Sequence, residues 1–353
     1  MGASLRIAGR IDGRQIAAGT LESAEAQVEV IAWGASLRRW SVALPGGGAR
    51  DCALGLRRIE DYPAHSPAMG AIVGRVANRI SGAAFPWAGG IARLDADAGA
   101  DAGAGAAADA GAGTECLHGG PSGLGRQVWE MEADDAASAL RLRYDSPRGE
   151  GGFPGALDVE VVLRLEGAAL IWEMRAVPDR ETPVNLAQHV YWNLDGGGAV
   201  ADHSLRLAAS RYTPLTERLV PTGEIAEVAG TPFDFRRARP LRGAGGAPLG
   251  VDLNFCLDPS RAEGPAAEVL SSDAALRLRL WTDRPGLQVF DMPGMTVGAP
   301  GLGGAAYGPF AGLCLEAQGF PDAVNRPEFP SIRCSPEAPY AAWTRVEIAP
   351  PAS

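Results

Sequence analysis

In Leu157-Asp-Val-Glu-Val-Val-Leu-Arg-Leu165, leucine or valine recurs at every second position. Leu157, Val159, Val161, Leu163 and Leu165 share one side, and Asp158, Glu160 and Arg164 face the other. That two-residue period belongs to a β-strand with one buried and one wet face. Leu140, Leu142 and Tyr144 alternate with Arg141 and Arg143 just upstream, and Ile171 to Val177 continues the pattern downstream. Strands of this kind at such spacing predict antiparallel sheets stacked as a large β-sandwich. Working outward, Gln27–Trp33 and Leu37–Val42 read as strands before the turn Pro45-Gly-Gly-Gly48. Further strands are expected near Ser204–Ala208, Ala275–Trp281 and Leu287–Asp291. No stretch sustains a 3.6-residue period, so little helix is expected. The Gly- and Pro-rich segments 243–250 and 294–304 read as loops, because strand patterning resumes on both sides. Residues 1–353 therefore read as one domain, with a nearly pure Ala/Gly/Asp surface insertion at about 95–113 that lacks core-forming side chains.

The composition excludes several classes of function. The net charge is −10 with no lysine at all, every cation being an arginine. A basic stripe for nucleic acid is absent, as are a Schiff-base lysine and a phosphate-loop lysine. The five cysteines (Cys52, Cys116, Cys256, Cys314, Cys334) show no C-x-x-C spacing and read as reduced thiols. The N-terminus does not resemble a signal peptide, and no apolar run reaches the ~20 residues of a membrane helix. A cytoplasmic protein, acting as monomer or homodimer, is the expectation.

Of four histidines, His189 stands out in Pro183-Val-Asn-Leu-Ala-Gln-His-Val-Tyr-Trp-Asn-Leu194, among amides able to fix its tautomer and aromatics able to face a ligand. Glu316 lies in the apolar run Leu313-Cys-Leu-Glu-Ala-Gln318, where a carboxylate must be paired or raised in pKa, as general bases are. Asn78 and Arg79 close the apolar run starting at Gly70, and an amide beside a guanidinium offers donors and acceptors to neighbouring hydroxyls. His118 lies in the glycine-rich Leu117-His-Gly-Gly120, and Asp252 and Asn254 share a side of Gly250–Phe255. Each of these alone is as readily a core histidine or a solvated strand face. No His/Cys/Asp/Glu group has metal-ligand spacing, so neither metal nor cofactor is expected.

Together these stretches resemble the aldose 1-epimerase family nearly end to end. Leu54-Gly-Leu56 through Gly74-Arg-Val-Ala-Asn-Arg-Ile80 is similar to its first signature, and Leu117–Gly120 to its second. Gly149-Glu-Gly-Gly-Phe-Pro-Gly155, Asn185–Leu194, Gly250–Phe255 and Leu315–Pro330 follow in the family's order. The resemblance implies a β-sandwich with a sugar site on its concave face and a small aldose as partner. It also implies Glu316 as general base, His189 as general acid, and Asn78, Arg79, His118, Asp252 and Gln288 as substrate-positioning residues. Gln188 departs from the family's Asn and is expected to line the site differently. Phe290-Asp-Met-Pro293 departs from a Tyr-Thr-x-Asn run, which bears on sugar preference.

The implied reaction opens and recloses a hexose hemiacetal, with ionised Glu316 taking the C1 hydroxyl proton and protonated His189 supplying one to O5. Three competing readings exist. A hexose-6-phosphate 1-epimerase would require clustered arginines, and a non-catalytic sugar-binding protein would need no acid–base pair. A glycoside hydrolase would normally use two carboxylates and leave His189 without a task.

Overall fold

A computed structural model describes residues 2–65, 68–96, 114–261 and 264–351. Most of the Ala/Gly/Asp insertion, 97–113, lies outside them. The Leu157–Glu166 strand pairs with Ala139–Ser146 and Ala169–Pro178 in a nine-stranded antiparallel sheet. Its order runs Glu130–Asp134, Ala139–Ser146, Leu157–Glu166, Ala169–Pro178, Tyr340–Ala349, Arg277–Thr282, Ala267–Leu270, Ser204–Leu207, Arg239–Pro240. A six-stranded sheet runs Tyr191–Trp192, Leu313–Gln318, Gly286–Phe290, Asp252–Cys256, Arg211–Tyr212, Ala226–Glu227. The N-terminal strands, Gly2–Ile11 to Ala49–Asp51, form a five-stranded meander. The only α-helix among the described residues is the four-residue Tyr62–His65. The chain is a large antiparallel β-sandwich.

Alternation explains the layering. Leu157, Val159, Val161, Leu163 and Leu165 are buried in the main core, together with Leu278, Leu280, Val346 and Ile348 of neighbouring strands. The six-stranded sheet contributes Leu253, Phe255, Leu287, Val289, Leu313, Leu315 and Ala317 to the same core. Trp40, Trp172 and Trp192 are wholly buried there, with Trp40 edge-on to Trp192 at 5.6 Å. Emptying one such position, as in Trp172→Ala, costs about 3–5 kcal/mol.

One face of the six-stranded sheet is thus closed by the core, so the opposite face receives every second residue. There two smaller apolar clusters flank a polar centre. One contains Tyr191, Cys314, Met292 and Leu54, the other Cys256, Phe320, Phe85 and Ile80. Register sets what lies between them. Asn254, Gln288 and Glu316 are cross-strand neighbours in one row, and Asp252, Phe290, Cys314 and Tyr191 form the next.

Candidate active site

Glu316 stands at the middle of Leu313–Gln318, only 2% exposed, between Leu315 and Ala317, whose side chains enter the main core. Its Oε2 has no hydrogen-bond partner among the described residues. Burial drives its pKa well above 4.5, nearby Asp252 adds to the rise, and Arg79 opposes it. Gln288, opposite Glu316 in register, donates from Nε2 to Asp252 Oδ1 at 2.6 Å. Burial raises the Asp252 carboxyl as well, against the pull of Arg79 and the Gln288 bond.

His189 arrives on a different segment. Ala187 and Gln188 pair with Val73 and Ile72, the His189 N–H donates to the Ala71 carbonyl, and the Gly70 N–H donates to the His189 carbonyl. Both backbone groups are satisfied, so the ring projects at a set angle. His189 Nε2 comes to 3.6 Å from Glu316 Oε1, and Nδ1 to 3.5 Å from Cys314 Sγ. Tyr191 stacks on one side of the imidazole at 5.0 Å, and His118 meets it edge-on at 5.1 Å. Burial lowers the His189 pKa to about 4.

His118 and Asn78 hold each other. The His118 N–H donates to the Asn78 carbonyl at 2.9 Å, and the Asn78 N–H donates to His118 Nδ1 at 3.1 Å. Both residues have positive φ, 54° and 62°, which this exchange supports. Gly119 follows at φ 91°, and a Cβ there would lie 2.1 Å from the Gly74 carbonyl oxygen, so the turn requires glycine. Burial, then His189, keep the His118 pKa well below 6.5. Arg79 is half-buried, with no ion pair among the described residues. Its guanidinium acts on Glu316, Asp252 and His118, the last of which also feels Arg126.

The fold gathers Glu316, His189, His118, Asp252, Gln288 and the Asn78–Arg79 pair around one centre. It also produces something sequence spacing did not suggest: His118, His189 and Glu316 each bring one potential ligand atom within 4.8 Å of the others. The hydrogen bonding fits a divalent cation poorly. Because His118 Nδ1 accepts the Asn78 N–H, the neutral ring carries its proton on Nε2 and is a donor there. A metal on Nε2 would require that bond to break.

Several expectations need correction. The amides around His189 do not fix its tautomer, because each is engaged with backbone. Asn185 clasps both polar groups of Gly319, and Asn193 donates to Gly198 and Ala311. Gln188 does not line the site; it points the other way, donating to the Leu315 carbonyl and accepting from Val190 N–H. Trp192 enters the core, leaving Tyr191 as the aromatic beside the imidazole. Asn254 is neither solvated nor free, being wholly buried with Nδ2 at 3.4 Å from Thr213 Oγ1. Burial works against the expected charge state of the free pair, raising the Glu316 carboxyl well above 4.5 and lowering His189 to about 4.

Two residues escaped the sequence reading. Cys314 is two positions before Glu316 in a strand, and strand periodicity is the signal that could have put it on the same face. Asp291 is 1% exposed and accepts the Gly250 N–H on Oδ2 at 3.1 Å, anchoring the entry to the Asp252 strand. Burial raises its carboxyl to about 6; nothing local in the sequence signals this.

The aldose 1-epimerase family model matches residues 18–347. Over 339 residues the chain is 34% identical to galactose mutarotase of Bos taurus, covering 93% of each chain. It is 32% identical over 333 residues to aldose 1-epimerase of Escherichia coli, covering 91% of each. Among solved structures it is similar to an aldose epimerase homologue from C. elegans, with TM-score 0.85, 25% identity, and coverage of 95% of this chain and 100% of that one. Galactose 1-epimerase from Lactobacillus acidophilus aligns with TM-score 0.78 and 25% identity over 98% of both chains.

Proposed function

The chain belongs to the aldose 1-epimerase family, and on that premise we propose that it interconverts the α and β anomers of a free aldohexose, with Glu316 and His189 moving the two protons. The observation that carries the reading is the 3.6 Å approach of His189 Nε2 to Glu316 Oε1, inside a polar centre walled by apolar clusters. Ring opening takes a proton from the C1 hydroxyl and delivers one to O5. Ionised Glu316 accepts the first and protonated His189 gives the second, leaving Glu316 neutral and His189 neutral. Rotation about C1–C2 presents the other face of the aldehyde. Reclosure returns a proton from Glu316 to the C1 oxygen and moves the C5 hydroxyl proton to His189.

The pair holds one proton at every stage, and only its location changes. In the free protein burial raises the Glu316 carboxyl and lowers His189 to about 4, which favours the distribution belonging to the open-chain sugar. A bound pyranose would favour the other distribution by offering O5 to Nε2–H and the C1 hydroxyl to the carboxylate. Arg79, Asn78, His118, Asp252 and Gln288 would hold the remaining hydroxyls, with His118 donating from Nε2. We place the working enzyme in the cytoplasm, in keeping with five buried, unbridged cysteines, and take residues 1–353 as one functional unit.

Polarimetry of freshly dissolved α-glucose and α-galactose tests the proposal. Glu316→Gln is expected to lose about 10²–10⁴-fold in kcat. Near-normal turnover would remove the base assignment, and a strong preference for glucose 6-phosphate over glucose would replace the free hexose with a phosphorylated one.

A further inference from the structure

We propose that Cys314 is a positioning residue for His189, its sulfur accepting the Nδ1–H so that Nε2 is the nitrogen that gives and takes the sugar's proton. The inference rests on His189 being the acid. Cys314 and Glu316 lie two apart on the site face of one strand, and the imidazole faces both. Nδ1 is 3.5 Å from Sγ, while Nε2 is 3.6 Å from Oε1. One strand thus addresses both ends of the ring. The nearby amides of Asn185, Gln188 and Asn193 are engaged with backbone.

The reaction itself demands one tautomer. Opening breaks the Nε2–H bond as the O5–H bond forms. Reclosure breaks the C5 O–H bond as Nε2–H re-forms. Between those steps the neutral ring must leave Nε2 bare, so its one proton must sit on Nδ1. A partner at Nδ1 must therefore accept rather than donate. A thiol sulfur can accept weakly, and burial keeps Cys314 protonated, with its pKa well above 9. A carboxylate there would raise the basicity of the imidazole; a neutral thiol orients the ring without adding a charge. Tyr191, paired with Cys314 in register, covers the ring face and limits its rotation.

Long-range ¹H–¹⁵N correlation spectra of uniformly ¹⁵N-labelled full-length protein report the tautomer directly, with the His189 signals assigned by difference from His189→Gln. The expected result is Nδ1–H at pH 7 in the wild type and a shift toward Nε2–H in Cys314→Ala. In mutarotation, Cys314→Ala is expected to lower kcat about tenfold, a fraction of a full acid–base contribution, with KM within about twofold. Cys314→Ser, whose hydroxyl oxygen also accepts, should recover most of that loss. An Nε2–H tautomer in the wild type overturns the proposal. So does an alanine variant with wild-type kcat, or a serine variant as slow as alanine. If His189→Gln turns over normally, the acid assignment fails instead, and the spectroscopic result stands apart from it.

Discussion

Gln188 donates from Nε2 to the Leu315 carbonyl oxygen at 2.7 Å. Each residue immediately precedes a member of the proposed proton-transfer pair, His189 and Glu316. The bond therefore ties together two segments more than a hundred residues apart, and its acceptor Oε1 also takes the Val190 N–H at 3.0 Å. Gln188→Leu leaves both backbone groups buried without these partners, each costing about 1–3 kcal/mol. The expected outcome is a lower Tm, with kcat reduced more than KM is raised. Wild-type kcat in this variant would show that the tie does not govern the acid–base spacing.

The pH–rate profile should be bell-shaped, with its limbs assigned opposite to a simple expectation. The active pair carries one proton. A second enters as pH falls through the His189 value of about 4. The last leaves as pH rises through the Glu316 value, which burial sets well above 4.5. Activity of the free enzyme, read as kcat/KM, is therefore expected to hold from mildly acid pH upward and to fall on both sides. A profile rising only above pH 6.5 would contradict it.

Charge neighbours should move the alkaline limb in opposite directions. Asp252 raises the Glu316 pKa and Arg79 lowers it. Asp252→Asn is expected to shift that limb of kcat/KM to lower pH, and Arg79→Gln to higher pH. Shifts of the same sign would refute the electrostatic account. Both variants should also raise KM, since each removes a group proposed to hold a sugar hydroxyl.

Glu316→Gln should trade activity for stability. A folded-state pKa raised above the unfolded value supplies stability that is present below the unfolded pKa and lost as pH rises through the folded one. The buried carboxyl is thus a growing burden from about pH 4.5 upward, and an amide has no charge to desolvate. Thermal melts at neutral to alkaline pH are expected to show a gain on the order of 0.5–2 kcal/mol. A lower Tm would mean that Glu316 is held by interactions that outweigh its burial.

Gly119→Ala should act on substrate binding. The added methyl would meet the Gly74 carbonyl oxygen at 2.1 Å, at a φ of 91° that side chains avoid. The loop must shift and carry His118 with it, at a cost of about 1–3 kcal/mol. Mutarotation is expected to show a raised KM together with a lower Tm.

Alternation in Leu157–Leu165 was enough to establish an antiparallel sandwich, because a strand with one wet face states its own secondary structure and its buried side. The apolar run around Glu316 marked its carboxylate as one that must be paired or raised in pKa, and the ordered motifs placed His118, His189 and Asp252 in one family pattern. Sheet order was not accessible this way: Tyr340–Ala349 joins the Ala169–Pro178 and Arg277–Thr282 strands through hydrogen bonds that carry no local signature. Nor could sequence say which of the polar groups near His189 would face it. Asn185, Asn193 and Gln188 look equally suited, yet the backbone groups of Gly319, Ala311 and Leu315 claim them, since a buried amide goes where unpaired donors and acceptors lie. The charge state was likewise decided in three dimensions. Composition puts an acid and an imidazole in the chain, but only their removal from water raises the Glu316 carboxyl and lowers His189 to about 4.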